Sequence, residues 1–211
     1  MQIDLFYDTT CPWCCIGKRH LQLALAQWEG APVTVRYRTF FLNEHLPAAG
    51  EDFRAYMQAK VGAHMPLEQL FAGPRQAGQR VGLHFDFDAI TRSPNTLLSH
   101  RLIALAPDDA REAVIDAVYA AYFEQGRDIG DLETLVEVAG AAGLDREAMR
   151  ALLQGDAARE QVQAEARWAQ EAGISGVPFF IVDNRYAWSG AQPPEAIVQM
   201  LRQIEASQTE S

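Results

Sequence analysis

Positive charge is scarce in this chain: Lys and Arg number 18 against 28 Asp and Glu, for a net charge of −10. Neutralising phosphates takes a basic stripe, so nucleic acid is not an expected partner. Apolar runs are short as well. No stretch approaches the ~18 uninterrupted apolar residues of a membrane span. The opening Met1-Gln2-Ile3-Asp4 lacks the basic and apolar blocks of a secretory leader. The expected setting is the cytoplasm, away from membranes. Cysteine is sparse too, with three in 211 residues. Structural disulfides are rare in that compartment, so a close cysteine pair points to catalysis or metal binding. Hydrophobic residues make up 48% of the chain, enough for a full core without disulfide or metal staples.

What the chain does have is Cys11-Pro12-Trp13-Cys14, directly after the strand-like run Ile3-Asp4-Leu5-Phe6-Tyr7 and before an amphipathic helix pattern. Two cysteines at this spacing close a small disulfide ring or hold an exposed thiolate. Pro12 suits the first turn of a helix, where its missing N–H is not needed. Cys11 then stands at a helix N-terminus, where the macrodipole favours thiolate over thiol. Thiolates attack disulfides and thiols do not, so the arrangement implies thiol–disulfide exchange.

The first stretch, residues 1–42, reads as strand, helix, strand. Ile16, Leu21, Leu25 and Trp28 recur at near-helical spacing, Gly30 and Pro32 are expected to end that helix, and Val33 to Arg38 alternates as a strand does. Residues 43–173 are almost entirely helical in pattern. Pro66 and Pro94 are expected in first turns, the latter after Ser93 as N-cap; helices should open at Asp108, Asp131, Asp145 and Asp156; and Leu83 to Phe87 should be extended or a short strand. Residues 174–211 return to β: Phe179 to Val182, a turn at Asp183-Asn184, Tyr186 to Ser189, then a helix from Pro193-Pro194 through Ile204. The polar tail after Ala206 is expected to fray. The helical block reads as an insertion into one α/β domain, with no linker on either side.

This order, with Cys11-Pro12-Trp13-Cys14 early and Gly176-Val177-Pro178 late, resembles the DsbA family of thioredoxin-fold oxidoreductases. Cys14-Cys15-Ile16-Gly17-Lys18, Asn95-Thr96, His100-Arg101-Leu102 and Ser189-Gly190-Ala191-Gln192 resemble its FrnE-like cytoplasmic subgroup. The resemblance covers essentially the whole chain. It implies an α/β thioredoxin fold with a large all-helical insertion between the βαβ and ββα halves. It also implies that Cys11 is the nucleophile, that Cys14 resolves the mixed disulfide, and that Pro178 follows a cis peptide bond beside the pair. Pro12, Trp13 and Val177 would then meet the substrate, whose extended chain could pair with Val177's backbone. One departure is Cys15, where the subgroup commonly carries an aromatic residue. It is either buried and inert, as free cysteines mostly are, or a competitor for the disulfide.

Other residues carry weaker signals. Asp4 and Asp8 flank the first strand, and a carboxylate near Cys14 would accept its proton. Lys18 and Arg19 would add a positive field unless helical spacing turns them outward. By resemblance to glutathione-using relatives, the helix of Asn95 faces the active-site cleft; Asn95 either orients a small thiol or acts as a cap. His100 reads as a core histidine, and Trp28, Trp168 and Trp188 as core or cleft walls.

The leading function is exchange with protein or small-molecule disulfides, with no resident cofactor or metal and with glutathione as a conceivable co-substrate. The alternatives are a glutathione-dependent isomerase or transferase of the hydroxychromene-carboxylate isomerase or kappa-class type, a stress-related chaperone-like binding protein, and a metal site joining Cys11, Cys14, Cys15 and His20. Adjacent Cys14 and Cys15 point apart on a helix, which argues against the last. Monomer and homodimer both stay open.

Overall fold

A computed structural model describes residues 1–209. Its centre is a four-stranded sheet in the order β2-β1-β5-β6. β1 (Gln2–Tyr7) runs parallel to β2 (Thr34–Thr39), with Leu5 opposite Tyr37, and antiparallel to β5 (Phe179–Val182), with Leu5 opposite Phe180. β6 (Tyr186–Ser189) closes a hairpin on β5. The hairpin turns at Asp183 and Asn184, which hold φ of +49° and +54°. Asp and Asn tolerate this left-handed region better than other side-chain-bearing residues do. The Asp183 carboxylate also accepts the backbone N–H of Gln2 at 2.7 Å, tying the hairpin to the start of β1.

Strand periodicity sends β1 to two cores. Ile3, Leu5 and Tyr7 join Ile16, Leu21, Phe180, Ile197 and Leu201 in the main core. That core is built with α1 (Pro12–Leu25) and α9 (Pro194–Thr209), which pack against each other. Phe6 faces the opposite way, into a small cluster with Phe40, Ala169 and Ile174. Trp168 stacks on Phe6 there at 5.5 Å between ring centres.

Between the halves lie α2 (Phe53–Val61), α3 (Leu67–Gln79), α4 (Leu97–Leu105), α5 (Asp108–Tyr119), α6 (Leu132–Ala141), α7 (Arg146–Gln154) and α8 (Arg159–Glu171). Asp52, Asp131 and Asp145 cap α2, α6 and α7 by accepting the N–H three residues on, each cap worth about 1 kcal/mol. A π-helical turn, Ala120–Glu124, extends α5 and sends Tyr122 and Phe123 inward. Phe53 stacks on Phe71 at 5.5 Å, Phe71 on Phe87 at 4.5 Å, and Phe85 meets Phe123 at 5.0 Å. Contacts of this kind add about 0.5–1.5 kcal/mol each beyond area burial.

Several expected boundaries move. α1 stops at Leu25, before Trp28 and Gly30, with Ala26 as its C-cap. Trp28 instead folds back and donates its indole N–H to Ala31 O at 2.8 Å. Pro66 is the N-cap of α3, one position ahead of the first turn. Ser93 is no cap: with Arg92 it forms β4, paired to β3 (Glu51–Asp52), a two-stranded ribbon inside the helical block that periodicity did not reveal. α4 therefore starts three residues after Pro94. Asp156 lies ahead of α8, which begins after Ala158 at φ +58°. Leu83 to Phe87 has no strand pairing and serves to bury Phe85 and Phe87. α9 continues to Thr209, past the expected fraying point at Ala206; the last two residues of that tail lie outside the described residues.

Candidate active site

β1 ends at Tyr7, and Asp8, Thr9 and Thr10 turn the chain into α1. Cys11 is the N-cap of α1, with extended backbone angles (φ −96°, ψ 109°) and Pro12 in the first turn behind it. Its amide N–H donates to Asp8 O at 3.1 Å. Its sulfur accepts the backbone N–H of Cys14 at 3.3 Å, in the position a serine or aspartate oxygen occupies at an ordinary N-cap. From the far end of the chain, the Val177–Pro178 bond is cis, and Val177 O stands 3.7 Å from Cys11 Sγ and accepts from it. Gly17 makes this approach possible. A Cβ at that position would lie 2.9 Å from Pro178 Cγ, closer than packed carbons come.

Cys14 is fully buried one turn inside. Burial pushes its thiol well above the ordinary cysteine range, and the hydrogen bond and charge of Cys11 push it further; the Asp8 backbone N–H pulls the other way. Cys15 opens on a different cavity, beside Asp116, Tyr119 and Glu124. Burial raises its thiol strongly, Asp116 and Glu124 add to the shift, and Lys18 only partly opposes them. None of the three cysteines is in a disulfide.

A cleft of about 230 Å³ adjoins Cys11, Pro12 and Trp13, walled by Phe53, Met57, Leu70, Phe71, Phe87 and Phe123. Cys11 itself is only 5% exposed, whereas Trp13 is 42% exposed. At the rim, Tyr56 and Lys60 both donate to Asn43 Oδ1, at 2.8 and 2.9 Å. Thr10 also lines the cleft, and among the described residues its hydroxyl oxygen is buried with no hydrogen-bond partner. The sequence reading missed these walls, although Phe53, Tyr56, Met57 and Lys60 repeat at i, i+3, i+4 and i+7, the stripe of one helix face.

The remaining candidates scatter. Asp8 is fully buried beneath the motif; its carboxylate accepts from Leu42 N at 2.7 Å and Thr10 N at 3.3 Å, with His100 Nε2 at 3.5 Å. Asp4 does not flank β1 but sits within it, on the face away from α1, held by Arg36 at 2.6 and 2.7 Å and Arg38 at 2.9 Å. Lys18 is buried and paired with Asp116 at 2.7 Å and Glu112 at 3.2 Å, and Arg19 donates to Val81 O, so neither points its charge at Cys11. Both ends of the Asn95 amide are engaged within the fold: Nδ2 donates to Leu46 O at 2.7 Å and Oδ1 accepts from Leu97 N at 3.0 Å. That is the capping part of the two expected for it, and Asn95 is not among the residues lining the cleft. His100 is buried between Tyr7 and Phe41. His20 Nδ1 lies 2.8 Å from Gln192 O. Trp188 stacks on Phe180 at 4.8 Å.

Chemically, the site presents one sulfur to a cleft and a second sulfur one turn behind it. A backbone N–H points at the first sulfur and a carbonyl faces it across a cis-proline loop. Comparison with known proteins bears on the fold and the family. A family model described as a DSBA-like thioredoxin domain matches residues 2–202. A solved structure of a probable DsbA oxidoreductase from Streptomyces coelicolor is 36% identical, covers 96% of this chain and 89% of its own, and superposes with a TM-score of 0.86. A 2-hydroxychromene-2-carboxylate isomerase (19% identity, 100% of this chain and 98% of its own, TM-score 0.72) shares the fold. So does the cytosolic disulfide reductase DsbM of Pseudomonas aeruginosa, solved with glutathione (21%, 97% and 100%, TM-score 0.69). With an α/β sheet split by a helical insertion, the cysteine pair and the cis-proline loop in place, the chain belongs to the DSBA-like thioredoxin domain family.

Proposed function

We propose that the protein is a thiol–disulfide oxidoreductase working in the cytoplasm through Cys11 and Cys14. The observation that carries this reading is the seat of Cys11 Sγ, between the Cys14 N–H at 3.3 Å and Val177 O at 3.7 Å, at the wall of a cleft. An N–H aimed at sulfur stabilises the negative charge that attack requires. The Cys11 thiolate attacks one sulfur of a substrate disulfide; that S–S bond breaks and the other sulfur leaves as thiolate. Cys14 then gives its proton to the released thiolate or to water and attacks Cys11 Sγ, expelling the second substrate thiolate and closing the Cys11–Cys14 disulfide. The substrate gains two electrons and the pair loses two. Run in reverse, the same steps oxidise a dithiol.

Burial of Cys14 favours its protonated form, so the second step waits until the mixed disulfide has formed and the charge on Cys11 is gone. Asp8 lies beneath the motif as a positioning residue, holding Cys11 N–H on its carbonyl and Leu42 and Thr10 on its carboxylate. The intact cysteine pair favours this chemistry over glutathione-dependent isomerisation, which needs no second sulfur.

Replacing the two cysteines in turn tests the reading. Cys11→Ser should reduce no disulfide above background. Cys14→Ser should accumulate a covalent adduct heavier by one substrate thiol. Wild-type turnover by Cys11→Ser would remove the assignment.

A further inference from the structure

Resting on the redox reading above, we propose that the substrate is a small, uncharged disulfide bearing an aromatic or bulky apolar group beside the attacked sulfur, not a protein disulfide or glutathione disulfide. Access is the first argument. Cys11 is 5% exposed and lies down in the cleft, while Trp13, two residues on, stands 42% exposed at the surface. Exchange needs three sulfurs nearly in line. Residues of α2 and α3 wall the cleft beside Cys11, which crowds a disulfide carrying folded backbone on both sides more than it crowds a small molecule.

Size and lining come next. Cavities of about 150 Å³ walled by Leu, Ile and Phe stay dry and hold a benzene ring. This cleft, at about 230 Å³ and walled by Phe53, Met57, Leu70, Phe71 and Phe87, has room for one ring and the attached sulfurs. Charge is the third argument. Apart from the Cys11 thiolate of the reaction, Lys60 alone among the described residues lining it carries a full charge, and its ammonium already faces Asn43 Oδ1 at 2.9 Å and the Tyr56 ring at 5.8 Å. Glutathione disulfide brings several carboxylates and ammonium groups, each costly to bury without a partner. The chemistry is the two-step exchange already described: the substrate's S–S bond breaks, both sulfurs leave as thiolates, and the pair supplies both electrons.

The test mixes reduced full-length protein with 4,4′-dipyridyl disulfide, bis(2-hydroxyethyl) disulfide, oxidised glutathione and insulin. Each rate is divided by the rate of the same disulfide with free N-acetylcysteine, which removes intrinsic reactivity. The normalised rate for the aromatic disulfide should exceed the other three by about tenfold or more. In Met57→Glu, with folding checked by circular dichroism, the normalised aromatic and hydroxyethyl rates should converge. Sulfur-free 4,4′-bipyridine should quench Trp13 fluorescence saturably in the wild type, a readout that needs no variant to fold. A faster normalised rate for glutathione disulfide or insulin overturns the proposal, as does unchanged preference in folded Met57→Glu or quenching that never saturates. If none of the four disulfides oxidises Cys11, the redox reading itself fails, an outcome distinct from exchange without preference.

Discussion

Cys11 and Cys15 stand four residues apart at the head of one helix and are almost equally hidden, at 5% and 6% exposure. Their surroundings differ in everything else. Cys11 caps the helix, meets the N–H of Cys14 and faces an apolar cleft. Cys15 lies inside the helix, in a cavity shared with Asp116 and Glu124 that holds its proton on. Burial alone therefore does not separate the proposed nucleophile from the thiol four residues on. The sign of the charges nearby and the direction of the backbone N–H groups do.

The largest expected effect breaks the comparison outright. Cys15→Ala should keep nearly full disulfide reductase activity where Cys11→Ala keeps none, and iodoacetamide at neutral pH should label Cys11 well ahead of Cys15 in a peptide map. Equal labelling of the two would mean that the acidic cavity does not protect Cys15. Next in size is Gly17→Val, which drives carbon into Pro178 and should cost about 1–3 kcal/mol of stability. Urea melts read that loss, and activity should fall with it because the Val177 loop is displaced from Cys11.

Alkaline pH should weaken the fold through its buried thiols and phenols. Burial raises the thiols of Cys14 and Cys15 and the hydroxyls of Tyr7 and Tyr119 in the folded state. Their contribution is complete below the unfolded values, about 8.5 for thiols and about 10 for tyrosine. Above those values the unfolded chain releases protons that the folded chain keeps, so stability falls as pH rises. The urea midpoint should hold from pH 7 to about 8.5 and then decline. In Cys14→Ala/Cys15→Ala the decline should begin about one unit later or more, once tyrosine takes over. The smallest effect sharpens the contrast: Asp116→Asn should raise the rate of Cys15 alkylation at a fixed mildly alkaline pH only slightly, since burial and Glu124 remain.

Much of this was legible in the chain itself. The strand before the motif, the caps at Asp131 and Asp145, the turn at Asp183-Asn184 and the apolar face of α9 all follow from local patterns, and the structure has them where they were expected. The cis bond before Pro178 rested on resemblance, because local sequence favours trans. What failed to show were features set by distant partners. Ser93-Pro94 carries a helix-start signal, but pairing of Ser93 with Glu51 overrides it. Lys18 was expected to lend its field to Cys11 or to face solvent, yet carboxylates on α5 draw it inside. Asp4 sits mid-strand because Arg36 and Arg38 on the neighbouring strand neutralise it. The stripe on α2 was there to be read, but not its place in a cleft, because α2, α3 and the Phe87 loop are brought to Cys11 only by tertiary packing.

Arg101 carries one further lesson. Its guanidinium is buried in α4 and donates to the carbonyls of Leu152, Leu153, Gly155 and Ala157, the stretch where α7 gives way to α8. Two residues back on α4, Ser99 Oγ lies 2.8 Å from Thr9 Oγ1, two residues ahead of Cys11. α4 thus ties two distant places together: Arg101 grips the far end of the insert, and Ser99 holds the loop that leads to Cys11. Loosening residues 152–157, remote from any chemistry, should be felt as poorer aim at Cys11.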